Sequence, residues 1–157
     1  MDTEEIHRRA VVAVVHDHRP IGPDLELMRA GGVTAKVYQV TLDVDVEAGY
    51  QASRDRETGW LRLAVGELEG VLRQLEVNNQ NCSLARSAGD IRRAKEEGRI
   101  AILLGAEGTR WLEGSLDPLR LFHRLGLREL QLTWAFPNAV VPDGHLILTT
   151  PRGEVFR

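Results

Sequence analysis

A single cysteine, Cys82, excludes an internal disulfide framework and any thiolate-only zinc cluster, so a metal ion bound here would need histidine and carboxylate ligands. That scarcity suits a reducing compartment, and the expected location is the cytoplasm. Long apolar runs are missing too. The run from Ala10 to Val15 has six residues, too few for a signal-peptide core or a membrane span, and the opening Met-Asp-Thr-Glu-Glu is acidic. Neither charge sign dominates: 20 Lys and Arg stand against 23 Asp and Glu, and the basic residues are scattered, not gathered in a stripe. Nucleic acid and membrane are therefore not expected partners. No Gly-x-Gly-x-x-Gly follows the first strand-like segment, which argues against a nucleotide-binding sheet.

What is present is enough for a core: 43% of the 157 residues are hydrophobic and 27% charged, the profile of one soluble domain or part of a larger one. The organising stretch is Arg99-Ile-Ala-Ile-Leu-Leu-Gly-Ala-Glu-Gly108. Ile100 to Leu104 is apolar without alternation, as in a strand covered on both faces of a parallel sheet. Glu107 then stands at the carboxyl end of that strand, where α/β folds build their sites. Its other reading is a loop carboxylate capping the next helix.

A similar layout opens the chain. Ala10 to Val15 is β-branched and continuous, predicting a buried strand, and His16-Asp-His-Arg-Pro20 follows it. Alternation along an extended segment sends His16 and His18 to one side and Asp17 to the other. Two imidazoles on one side suit a shared metal ion; a solvated loop pair is the other reading.

Between these segments, Gly22 to Gly32 predicts a short helix, Val33 to Val44 a strand, and Asp45 to Gly59 a loop or fraying helix start. Lys36 shares a face with Thr34 and Tyr38, either lining a polar cavity or reaching solvent. From Trp60 to Val77, Leu61, Val65, Leu68, Val71, Leu72 and Leu75 recur at helical spacing. Cys82 to Ala85 is a short strand, and Ser87 to Gly98 a helix. Beyond Gly108, Asp117 as N-cap, Pro118 at the first helical position and Gly126 as stop mark another helix, with His123 on its surface or in its packing. Arg128 to Ala135 is the next strand. Residues 136–157 are dominated by turn residues and read as an irregular, truncated tail, with a strand at Leu146 to Thr150 and His145 in a solvated turn.

Strands and helices thus alternate with short connections, as right-handed parallel βαβ units require. The expected fold is α/β, with about five parallel strands forming the first half to two-thirds of a (β/α)8 barrel of TIM type, which typically takes about 250 residues. On one barrel rim His16, His18 and Glu107 would converge.

The residues resemble the membrane (renal) dipeptidase family of zinc metallopeptidases. The resemblance is carried by Val11 to Pro20, by Ala30-Gly-Gly-Val33, by Ser87 through Gly108, and by Leu119 to Thr133, including Phe122-His-Arg-Leu-Gly-Leu-Arg128 and Leu130-Gln-Leu-Thr133. It implies a (β/α)8 barrel with two zinc ions bridged by a glutamate, hydrolysing the amide bond of dipeptides. Glu107 resembles the bridging glutamate and His16 the first ligand. Three departures stand out. The family pattern His-x-Asp is here His16-x-His18, the family's histidine after Leu-Thr is here Trp134, and the later strands with the remaining ligands lie outside the chain. The resemblance implies that residues 1–157 are the N-terminal portion of one barrel domain, at most a zinc half-site and inactive alone, with a dipeptide or small amide as substrate. A missing C-terminal half or a second copy would be the partner. Rival readings are another metal-dependent amidohydrolase and a non-catalytic barrel fragment that serves as an interaction module.

Overall fold

The computed structural model describes residues 2–41, 43–134, 136–141, 148–149 and 155–156. Its centre is strand β4 (Ile100–Glu107), the strand expected from the uninterrupted apolar run. β1 (Ala13–Asp17), β2 (Ala35–Gln39), β3 (Cys82–Leu84) and β5 (Leu127–Gln131) complete a parallel sheet of five strands. Chain order and sheet order differ. β2 lies along one side of β4, while β3 pairs with Ile100 to Ile102 and β5 with Leu104 to Glu107 along the other side. Only β2 therefore separates β1 from β4, a gap of two strand spacings, or about 10 Å.

Alternation along β4 divides the interior. Ile100, Ile102, Leu104 and Ala106 face the main core, formed with α2 (Ile21–Ala30), α4 (Trp60–Val77) and α6 (Asp117–Leu125). On α4 the buried positions are Trp60, Ala64, Leu68, Val71 and Leu75, while Val65 is exposed, so the packed face is rotated from the expected one and begins at the tryptophan. Trp111 and Phe122 close this core with ring centroids 4.5 Å apart. Asp117 does not cap α6 with its side chain, which instead accepts from Arg120.

The opposite face of β4 carries Ala101, Leu103, Gly105 and Glu107. One helix, α5 (Ala88–Glu96), packs there, with Ala94 and Ile91 against Ala101 and Leu103. A right-handed crossover explains it. The step from β2 to β3 passes over β4, and the step back to β4 reverses direction, so its helix falls on the other face. α5 sits against the amino-terminal half of the strands and leaves the carboxyl ends of β1 and β4 clear: Lys95 Nζ donates to Arg8 O at 2.9 Å.

Several expectations need correction. The first strand is an edge in this sheet, not a covered one, and Val15 is 72% exposed because β2 is its one partner among the described residues. Lys36 neither lines a cavity nor reaches solvent; it is fully enclosed. A first helix, α1 (Thr3–Arg9), capped by Asp2, and a short α3 (Tyr50–Asp55) also form. Leu148–Thr149 (β6) pairs antiparallel with Val155–Phe156 (β7), apart from the main sheet. His145 lies outside the described residues.

Candidate metal centre

Glu107 occupies the last position of β4, and an apolar strand accounts for its placement. Pairing with β2 on one side and β5 on the other fixes the backbone, down to the register Glu107↔Gln131. Gly108 then turns the chain at φ 84°, in the left-handed region that glycine alone enters without strain. The Gly108 amide donates to Gln131 O at 3.0 Å, and a Cβ at this position would collide with the Asp43 carboxylate. The side chain of Glu107 does not cap a following helix; it is 9% exposed and aimed at β1.

β1 reaches it through an irregularity. Val14 pairs with Lys36, but the next paired residue is Asp17, opposite Tyr38, so β1 carries one extra residue there. The insertion turns Asp17 to the Lys36 side and His16 and His18 to the Glu107 side. Without it, simple alternation from Val14 would place His16 on the helix face.

The result is a compact donor set. His18 Nε2 lies 3.1 Å and His16 Nε2 3.5 Å from Glu107 Oε2, and the two Nε2 atoms are 3.2 Å apart. The donor atoms all lie within 4.8 Å of one another, and this is the one cluster of three or more metal-ligating side chains among the described residues. Both imidazoles are about two-fifths exposed while the carboxylate is buried, so the site opens to solvent from the histidine side.

Gln131 lies within the Leu130-Gln-Leu-Thr133 segment, which by itself gives it no role. Its side-chain amide Nε2 sits 3.0 Å from His16 Nδ1. Half a turn of that amide puts its oxygen there to accept from Nδ1–H, which leaves the Nε2 lone pair directed at the shared centre. One layer below, Gln39 Nε2 donates to Glu129 Oε2 at 3.0 Å, across the space that Gly105 leaves by lacking a Cβ.

Two nearby acids are perturbed in opposite directions. Burial pushes the Asp43 carboxyl up to about 6, against the pull of the Arg110 amide and charge, the Thr109 amide and the Asn138 side chain. Burial also works against ionised Asp17, but hydrogen bonds from Arg19 and the Lys36 charge outweigh it and hold its carboxyl well below the usual carboxylate range.

Next to His18 lies a cavity of about 540 Å³ between β2, α4 and the segment after β2, lined by Tyr38, Trp60, Leu63 and Trp111 among others. Trp134, 41% exposed, stacks edge-on with Tyr50 at 6.5 Å between ring centroids. It lies on the segment that leaves the carboxyl end of β5. His123 is exposed on α6, away from the cluster, as a surface residue.

The family model described as membrane dipeptidase (peptidase family M19) matches residues 7–144. Dipeptidase tcpJ of Claviceps purpurea is 36% identical over 75 residues, covering 48% of this chain and 18% of that protein. Dipeptidase ataJ of Aspergillus terreus is 29% identical over 110 residues, covering 69% of this chain and 27% of that protein. An amidohydrolase from Pseudomonas aeruginosa shares the fold with a TM-score of 0.72 at 24% identity, over 88% of this chain and 38% of that one. The chain thus spans less than a third of the length of these curated relatives.

Proposed function

The chain belongs to the membrane dipeptidase family, and from that premise we propose that it is the N-terminal portion of a zinc-dependent barrel enzyme that hydrolyses the amide bond of dipeptides. The observation that carries this reading is the cluster of His16, His18 and Glu107 at the carboxyl ends of parallel strands. Two imidazoles and one carboxylate are the donor types that catalytic zinc sites use. Their atoms already converge to within 4.8 Å, so the residues present fit the ion.

In this reading His16 and His18 hold zinc through Nε2 and Glu107 through its carboxylate. Bound zinc supplies an activated water and polarisation of the substrate carbonyl. Glu107 contributes the one negative charge of the set, and its burial removes the water that would otherwise compete for its oxygens. Gln131 fixes the ring of His16. Because His18 stands where the family pattern has aspartate, the set carries one negative charge fewer and neutralises less of a divalent ion. That shifts affinity and metal preference relative to a His-x-Asp site. A bridged pair of ions needs further ligands, and none cluster with these three among the described residues. In this reading the described residues supply one half of such a site.

The His-x-His pattern and Trp134 favour a second reading, a related amidohydrolase acting on a different amide. Trp134 offers only an indole donor at the place of a histidine that contacts substrate in the family. Zinc content and hydrolysis of dipeptides, cyclic amides and lactones would be measured on the 157-residue chain and on any longer product of its gene. Dipeptide turnover with bound zinc in a longer product supports the first reading. Turnover of cyclic substrates alone transfers support to the second, and absence of both metal and turnover in that product rejects both.

A further inference from the structure

The largest fully enclosed side chain of the described residues belongs to a lysine, Lys36 of β2. It lies on the sheet face opposite Glu107. Its ammonium donates to Arg19 O at 2.8 Å and to Asp24 Oδ2 at 2.9 Å, and lies 3.4 Å from Asp17 Oδ2. Each contact leads to the same place. Asp17 stands between His16 and His18, Arg19 follows, and Asp24 is in the first turn of α2, the helix that this turn enters. Asp17 also closes the turn, accepting from the Arg19 amide at 2.8 Å and from Arg19 Nη2 at 2.8 Å.

An enclosed ammonium is costly unless its partners are held in good geometry. Any movement of the turn away from β2 would strip two of its three contacts. The opposing restraint is weak: β1 is an edge strand with an extra residue, and both imidazoles are substantially exposed. On the site face the Gln131 amide meets the ring of His16, while the backbone of the turn that carries both imidazoles is gripped from the other face.

We propose that Lys36 is a positioning residue which, with Asp17 and Asp24, locks the Asp17–Arg19 turn from behind the sheet, so that His16 and His18 face Glu107 before a metal ion arrives. The inference rests on reading those three residues as metal ligands. A preset donor set binds without a further ordering cost, and residues behind the ligands typically contribute about 10–100-fold in metal affinity.

The test uses Lys36→Met/Asp24→Leu, which exchanges the ion pair for apolar side chains, a change that is often neutral for stability. Asp17 keeps Arg19 as its partner. Cobalt(II) titration would be compared with melting temperature, and the ring nitrogen signals of His16 and His18 would be followed by NMR in the metal-free chain. The expected result is an unchanged melting temperature, cobalt affinity weaker by at least about tenfold, and averaged ring signals in place of fixed ones. A merely structural lysine would leave the ring signals of a folded variant unmoved. A folded variant with cobalt affinity and ring signals like those of the unmodified chain overturns the proposal. If the double variant does not fold, Asp17→Asn decides in the same way, since it retains the turn and removes the charge facing Lys36. The control is His16→Ala/His18→Ala: if it binds cobalt like the unmodified chain, the metal reading fails and the proposal with it. Loss of binding in this control alone leaves the metal reading standing and rejects only the lock.

Discussion

His18 Nε2 lies 3.1 Å from Glu107 Oε2, although 89 positions separate them in the chain. Contact across two strand spacings depends on a hydrogen-bonded path through β2, so the pair reports directly on the sheet order β1-β2-β4. Consequences for binding and stability follow from the groups around it.

Gln131 holds His16 from β5, and Gln131→Leu removes that partner without touching a ligand atom. Metal affinity is expected to fall by about 10–100-fold, with the melting temperature unchanged within error. Competition titration with a colorimetric zinc chelator measures it. Affinity equal to that of the unmodified chain would show that Gln131 does not orient the ring.

Gly108→Ala places a methyl group against the Asp43 carboxylate at a φ of 84°. Backbone strain and overpacking together should cost about 2–4 kcal/mol. For a domain near 150 residues that lowers the melting temperature by roughly 5–15 °C. Thermal unfolding followed by circular dichroism would record the shift, and a loss below about 2 °C would contradict the packing described here.

Asp43 makes stability depend on pH in an unusual direction for a carboxylate. Its ordinary value of 3.8 applies to the unfolded chain and about 6 to the folded one, so the folded state binds the proton more tightly. Its contribution is therefore favourable below pH 4 and is lost as pH rises through about 6, a change on the order of 3 kcal/mol. Asp43→Asn should flatten the dependence and unfold at higher urea concentration than the unmodified chain at pH 7.5. Urea titrations at pH 4.5 and 7.5 would show it; a variant that keeps the full pH dependence would assign the effect to another group.

The sequence displays the core of this structure because its central strand is apolar at every position from Ile100 to Leu104. Helices α4 and α5 are equally visible, one through its periodicity and the other through Ser87, which accepts from the Asp90 amide. Less visible is anything that depends on pairing. The extra residue in β1 leaves no compositional trace, yet it decides which face receives His16, and the expected alternation held at His16 to His18 only because it is counted after the insertion. Sheet order was hidden for the same reason: no local feature reveals that β3 shares one side of β4 with β5. Lys36 did leave a signal, a charged residue within a β-branched stretch and an acid at Asp24 in the preceding helix. A long side chain that can reach solvent masks such a pair until the burial is known. Gln131 lay inside a recognised pattern, but its role depends on a neighbour 115 positions away.

The central claim is that His16, His18 and Glu107 hold one divalent ion together. Calorimetric titration of the metal-free chain with zinc, in parallel with Glu107→Gln, tests it most directly. One site per chain is expected, weakened by more than about 100-fold in the variant, beyond what a residue behind the ligands contributes. Zinc binding of equal strength in both, or none in the unmodified chain, would contradict it.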